Sequence, residues 1–281
     1  MRFESTWSRA FRWFRKSEQA VTQVYSAATH IGVKLDQDRA GHSEGNGKFR
    51  LILCDGIGGL DDSGAAAELV VREYMEAESS SGRKLVEGLV NKADVRTLPK
   101  GGTTLLAAHG GKKVPITIDH LGNGGAIHLH GDYAELGVSG APYMYAQLIL
   151  PHIAPDDRLT RHLSHEGGKK ERCVSRVAVE LNYHRGDILI LFTDGIASLE
   201  RNVVIHDDAD RHWRHESDNI QFVLSRLHEF LTNSRKESFQ QELGGFLEEV
   251  LNDLHEAEML EDDASLAIIM TEQVLEYLER P

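Results

Sequence analysis

The sequence predicts an α+β domain of antiparallel β-sheets covered by α-helices. Two observations carry this reading. Strand-like runs follow one another through hairpin-type turns, where βαβ units would alternate strand with helix. Helical periodicity is segregated into one stretch after Asp62 and a longer one near the carboxyl end. With 281 residues the chain can bury one substantial core, and it has neither a low-complexity linker nor a fixed-period repeat.

The elements follow in order. Residues 1–18 form a distinct basic amphipathic segment, with Phe3, Trp7, Phe11 and Phe14 at near-helical spacing among Arg2, Arg9, Arg12, Arg15 and Lys16. Such a face could rest on an anionic membrane, but most apolar helix faces pack on their own domain, and that is the expectation here. Residues 19–281 form the single main domain. Val21–Ala28 and Phe49–Cys54 read as strands. Ser63–Ala77 reads as a helix capped by Asp62 or Ser63, with Ala67, Val70, Val71 and Tyr74 on one face. Gly101–Leu105 enters a strand that reaches Ala108. Ile116–Leu121 and Ala126–His130 read as a hairpin around Gly122-Asn123-Gly124-Gly125. Loops with a short strand fill 142–173, and Val174–Leu181 is a strand. The turn Arg185-Gly186-Asp187 leads into the buried run Ile188–Thr193. Two amphipathic helices are marked by Ile220, Val223, Leu224, Leu227 and Leu231, then by Phe239, Leu243, Phe246, Leu247, Val250, Leu251 and Leu254. A last strand, Ala264–Met270, precedes a closing helix over Val274–Leu278.

Composition narrows the function classes. A net charge of −13 argues against a nucleic-acid footprint. The longest apolar runs are too short to span a membrane. Two cysteines, Cys54 and Cys173, make no disulfide framework, so Cys54 reads as a small buried hydrophobe and the expected location is the cytoplasm.

Aspartates at strand ends are the chemical signal. Phe49–Cys54 runs into Asp55-Gly56-Ile57-Gly58-Gly59, and Ile188–Thr193 runs into Asp194-Gly195. Asp262-Asp263 opens the last strand, and Asp36-Gln37-Asp38 follows the first. A carboxylate at the end of a buried strand is costly unless a cation or hydrogen bonds satisfy it. Converging carboxylates repel one another, and hard oxygen ligands suit Mg²⁺ or Mn²⁺. Taken singly, each Asp-Gly is a turn; Asp187 and Asp263 read as structural acids, and Gly102-Thr103-Thr104 as a strand entry.

Together these pieces resemble the metal-dependent serine/threonine protein phosphatases (PPM, type 2C). The motifs are Gln37-Asp38, Asp55-Gly56-x-Gly58-Gly59, Gly102-Thr103-Thr104, Gly186-Asp187 with the strand into Thr193-Asp194-Gly195, and Asp262-Asp263-Ala264-Ser265-Leu266, spread over residues 20–272. The resemblance implies a four-layer sandwich, two antiparallel sheets flanked by helices, with two Mn²⁺ or Mg²⁺ ions at one end. It implies Asp55 bridging both ions with the Gly56 carbonyl beside it, Asp194 and Asp262 on the second ion, and Asp38 at the edge of a shell. Two cations would neutralise a phosphomonoester dianion and make water nucleophilic near neutral pH.

Three departures from the family pattern matter. Val33 stands where many members carry a phosphate-gripping arginine, leaving Lys34 beside it as the substrate-binding candidate; an ammonium is a point charge without the bidentate fork. Ile57 stands where eukaryotic members place a histidine, which points to a bacterial-type enzyme with water protonating the leaving oxygen. Asn123 replaces an aspartate that helps hold a third ion, and the Gly-Asn form is closer to the branch acting in bacterial stress and sporulation switches. The expected activity is hydrolysis of phosphoserine or phosphothreonine on a protein in signalling, with a small regulatory protein or a kinase as substrate. The alternative is a catalytically weak module that binds phosphoproteins as a scaffold. Among fifteen histidines, His128 and His130 share a strand face and read as ordinary strand residues. The cluster from His206 to His212 reads as a polar surface loop.

Overall fold

The computed structural model describes residues 23–77, 86, 100–112, 114–136, 143–156, 158–164, 170–197, 204–207, 212–215 and 217–279. The basic segment over 1–18 lies outside the described residues. The first part of the chain runs β1 (Val24–Ile31), β2 (Arg39–Gly45), β3 (Lys48–Cys54), α1 (Ser63–Glu76), β4 (Gly102–Thr103), β5 (Leu105–Gly111) and β6 (Val114–Leu121). Next come β7 (Gly125–His130), α2 (Tyr133–Leu136), β8 (Ala146–Gln147), β9 (Leu163–Ser164), β10 (Ser175–Val179) and β11 (Asp187–Phe192). The last part holds β12 (Val204–Asp207), β13 (His212–His215), α3 (Asp218–Asn233), α4 (Phe239–Glu256), β14 (Ala264–Thr271) and α5 (Glu272–Leu278).

Two five-stranded sheets result, ordered β1-β14-β11-β7-β8 and β10-β6-β5-β3-β2, and their pairings are antiparallel. Period-two alternation sorts their side chains into three core regions. Leu189, Leu191, Ala267 and Ile269 of the first sheet meet Phe49, Leu51, Leu53, Leu106 and Ala108 of the second between the sheets. The other face of the first sheet, with Ile188, Ile190, Phe192, Leu266 and Ile268, packs against α3 and α4. The other face of the second sheet, with Ile52, Cys54, Leu105 and Ala107, packs against Ala67, Val70 and Tyr74 of α1. The architecture is therefore a four-layer sandwich. Covered on both faces, β11 and β14 are buried at every position, which is why they read as unbroken apolar runs.

The helices form where their apolar stripes predict. Ser217 caps α3 by accepting from the Ile220 N–H at 3.3 Å. Asp62 occupies the cap position of α1 in a left-handed conformation, φ 61°, but its side chain makes no capping bond. Ser63 instead donates to the Ile57 carbonyl at 2.8 Å, tying the glycine-rich turn to the helix. Among the described residues no helix is long and apolar enough to cross a membrane.

Two expectations are corrected. The strands flanking Gly122–Gly125 do not form a hairpin. Both edges of β6 are taken by β5 and β10, and both edges of β7 by β8 and β11, so the chain crosses from one sheet to the other there. Gly122, at φ +121°, turns the chain, and Gly125 lies flat on the Phe192 ring, where a Cβ would come within 2.2 Å of Cζ. The segment around His206 and His212 is also not a plain loop: β12 and β13 pair as a two-stranded ribbon.

The turn after β11 is equally tight. A Cβ on Gly195 would lie 1.9 Å from the Asp263 carbonyl oxygen. Main chain cannot rotate away as a side chain can, so Gly195→Ala is expected to destabilise the fold by about 2–3 kcal/mol in urea unfolding.

Candidate metal centre

Strand register brings the aspartates together. Phe192 lies opposite both Leu266 and Gly125 in the first sheet. Chain leaving β11 at Asp194 therefore runs beside chain entering β14 from Asp262-Asp263, and beside Asn123 ahead of β7. In the second sheet Arg39 pairs with Cys54, so Asp38 and Asp55 are neighbours. Asp38 joins the two sheets: its Oδ2 accepts from Thr193 Oγ1 at 2.7 Å and from Ser265 Oγ at 2.8 Å.

Asp38 is 1% exposed. Burial pushes its carboxyl up to about 7; the Thr193 and Ser265 hydroxyls work against that, while Asp194 and Asp263 add to it. Asp55 keeps some contact with solvent, yet the protein enclosing it pushes its carboxyl well above the usual range, and Asp194, Asp38 and Asp262 push the same way. Asp55 shares a side-chain hydrogen bond with Asp38, and its main chain is tied to β4 and the residue after it. Its N–H donates to Thr104 Oγ1 at 3.1 Å, and its carbonyl accepts from the Thr104 N–H at 2.8 Å and from Thr103 Oγ1 at 3.0 Å. Gly56 lies against the preceding turn: a Cβ there would approach Gln37 Cβ to 2.6 Å.

Asp194 receives the Asn123 amide, Nδ2 to Oδ2 at 2.5 Å. Asp262 and Asp263 are adjacent but do different work. Asp262 is exposed at the rim, with Lys34 Nζ 4.0 Å from its Oδ2. Asp263 is buried and faces backwards. Its Oδ1 accepts from the N–H groups of Val33, Lys34 and Leu35 at 2.7, 2.8 and 3.3 Å, and its Oδ2 from that of Gln37 at 2.6 Å. Burial works to raise the Asp263 carboxyl, but the Gln37, Lys34 and Val33 donors together outweigh it and hold it below the usual range. Asp263 is thus the structural acid expected, and it fixes the loop that carries Lys34 and Asp38.

Asp38, Asp55, Asp194 and Asp262 therefore meet at one end of the sandwich, with Gly56 at the same turn and Lys34 at the rim. Asp187 lies at the other end of β11. Thr193, Ser265, Asn123 and the two threonines that hold Asp55 stand in the sequence as motif residues, but their role in aiming the carboxylates does not show there. Their signal is register rather than composition, since Thr193 and Ser265 meet only once β11 and β14 are paired.

The donor set suits a hard divalent ion. It consists of carboxylate oxygens, and beside them Asn123 Oδ1 is buried without a hydrogen-bond partner among the described residues. Stability should report the electrostatic cost directly. Asp38 has a folded-state value near 7 against about 3.9 unfolded. Its contribution is complete below about pH 4 and is lost as pH rises through about 7. In chelator, urea midpoints are expected to fall from pH 4 to 7, Mn²⁺ to restore them at pH 7, and Asp38→Asn to flatten the slope.

No protein-family profile matches the chain, and no curated protein matches it in sequence. Solved structures do match. RsbX in complex with magnesium is 12% identical with a TM-score of 0.53, covering 89% of this chain and 96% of that one. The serine/threonine phosphatase Stp1 from Staphylococcus aureus is 14% identical with a TM-score of 0.53, over 89% and 95%. The PP2C phosphatase domain with a regulatory fragment of SpoIIE from Bacillus subtilis is 14% identical with a TM-score of 0.53, over 89% and 64%. The chain has the PP2C fold. Its aspartate-bearing turns lie at one end of that sandwich, where strand register alone had already gathered them.

Proposed function

We propose that this chain is a bacterial-type, metal-dependent protein serine/threonine phosphatase acting in the cytoplasm. The observation that carries the reading is the convergence of four carboxylates from four turns onto one end of a PP2C-fold sandwich, two of them pushed far from their ordinary ionisation. Asp55, Asp194 and Asp262, with Asp38 at the edge and the Gly56 carbonyl beside them, would hold two Mn²⁺ or Mg²⁺ ions. Bound there, the ions would supply charge neutralisation for a phosphomonoester and lower the pKa of water toward neutrality.

The chain's own groups do the rest. Thr193 and Ser265 orient Asp38 from the first sheet, Thr103 and Thr104 set the height of the Asp55 turn, and Asn123 fixes one oxygen of Asp194. Lys34 presents a positive charge at the rim, on a loop locked by Asp263, where an incoming phosphate would pass. Ile57 brings no proton to the leaving oxygen, so that proton comes from solvent. The substrate in this reading is a phosphoserine or phosphothreonine on a small regulatory protein or a kinase.

The test is phosphate release from a phosphoserine peptide. Turnover that needs Mn²⁺ or Mg²⁺ and stops in chelator is expected. Absence of turnover with the bound ions verified would favour a phosphoprotein-binding module.

A further inference from the structure

The far end of β11 carries a second cluster that the phosphatase reading leaves unused. Asp187 opens the strand and Asp194 follows its other end, seven residues away, or about 23 Å at the usual rise. Opposite Asp187 in register is His130, and His128 lies two residues along β7 on the same side. Their parity is that of Ala126, Leu189 and Leu191, so all three project into the space between the sheets, where the apolar seam ends.

The cluster is built. Asp187 is 2% exposed, and its Oδ1 lies 2.9 Å from His128 Nε2. Its Oδ2 accepts from the Tyr183 N–H at 3.0 Å, and its own N–H donates to Thr271 Oγ1 at 2.9 Å. The His130 ring is stacked on Tyr183 at 3.9 Å between centroids. One ligand atom from each of His128, His130 and Asp187 lies within 4.8 Å of the other two. Among the described residues, it is this set of three that meets that spacing, which no three aspartates of the main centre do together.

A histidine–aspartate hydrogen bond joins two members of the cluster, and the stack on Tyr183 and edge contact with His128 hold the exposed His130 ring beside them. Two imidazoles and a carboxylate are a donor set for a borderline transition ion, where Mg²⁺ and Mn²⁺ favour oxygen. Tyr183 and Thr271 supply the outer contacts that hold such a carboxylate in place. We propose that His128, His130 and Asp187 form a transition-metal site, taking Zn²⁺ or Co²⁺, separate from the aspartate centre. His128 binds through Nε2 as the neutral tautomer with its proton on Nδ1. Asp187 binds through Oδ1, and the exposed His130 closes onto the ion, with water completing the shell. The ion clamps β7, β11 and the turn before β11, and stabilises the fold by binding it in preference to the unfolded chain.

The probe is Co²⁺, titrated into the full chain already saturated with Mg²⁺ and followed by visible ligand-field absorption. One equivalent is expected to bind. The signal should persist in the Asp55→Asn/Asp194→Asn double variant. It should weaken by about 100-fold or more in His130→Ala and in His128→Gln, beyond the roughly 10–100-fold that loss of an outer-shell contact costs. His130 is exposed, so His130→Ala keeps the fold, as circular dichroism would verify. Three results would each overturn the site: no stoichiometric Co²⁺ binding in wild type, equal affinity in His130→Ala, or loss of the signal with the double aspartate variant.

Discussion

Asp55→Asn and Asp194→Asn are each expected to lower Mn²⁺-dependent hydrolysis of a phosphoserine peptide by about 10³-fold or more, with the fold intact. That loss corresponds to about 4 kcal/mol of transition-state stabilisation, the scale of removing one preorganised charge from an active site. The fold survives because the N–H and carbonyl contacts of Asp55 are ones asparagine also makes, and an asparagine amide can still bond Asp38. At position 194 an asparagine oxygen can still accept from Asn123. In chelator the Asp55→Asn protein should unfold at higher urea than wild type, because a carboxyl raised by enclosure and by Asp194 and Asp38 has been neutralised. Lower activity paired with higher metal-free stability separates a functional acid from a structural one. Steady-state kinetics beside urea melts measure both.

The neighbouring pair Asp262 and Asp263 should split in the opposite sense. Asp263→Ala strips the acceptor from four backbone N–H groups between β1 and β2 and is expected to cost about 3–5 kcal/mol of stability. Asp263→Asn retains one acceptor oxygen and should lose about half as much. Asp262→Ala should cost only about 1 kcal/mol, the loss of the bond its Oδ1 accepts from the Asp263 N–H at 3.0 Å and of a 4.0 Å contact with Lys34 at the exposed rim, yet should weaken metal binding. The pH dependence has a definite sign. Asp263 is held below its ordinary value, so its contribution is present above about pH 4 and is lost as pH falls through the depressed folded-state value. Wild type and Asp263→Ala should therefore converge in stability on acidification. Equal stability of Asp262→Ala and Asp263→Ala would remove the assignment of the loop to Asp263.

Much of this was legible in the chain. β11 and β14 announce themselves as unbroken apolar runs because both of their faces are covered, and α3 and α4 show their apolar stripes at helical spacing. The glycine-rich turn at 122–125 misleads because glycine permits a tight reversal without specifying which sheet receives the next strand. Pairing β6 with β5 and β10 decides that, and those contacts are distant in sequence. The acidic positions were visible as Asp-Gly steps after strands. The roles of Thr193, Ser265 and Asn123 were not, because hydroxyls and amides acquire them only from register. The same holds for His128 and His130: their spacing was plain, but the carboxylate that meets them lies 57 residues beyond His130 and arrives by pairing of β7 with β11.

An anomalous-difference map at the manganese edge, from crystals grown in Mn²⁺, tests the central assignment most directly. Two adjacent peaks bounded by Asp55, Asp194 and Asp262, with Asp38 at their margin, are the predicted result. A map with no peak among these carboxylates, while the crystals contain Mn²⁺ elsewhere, would contradict it.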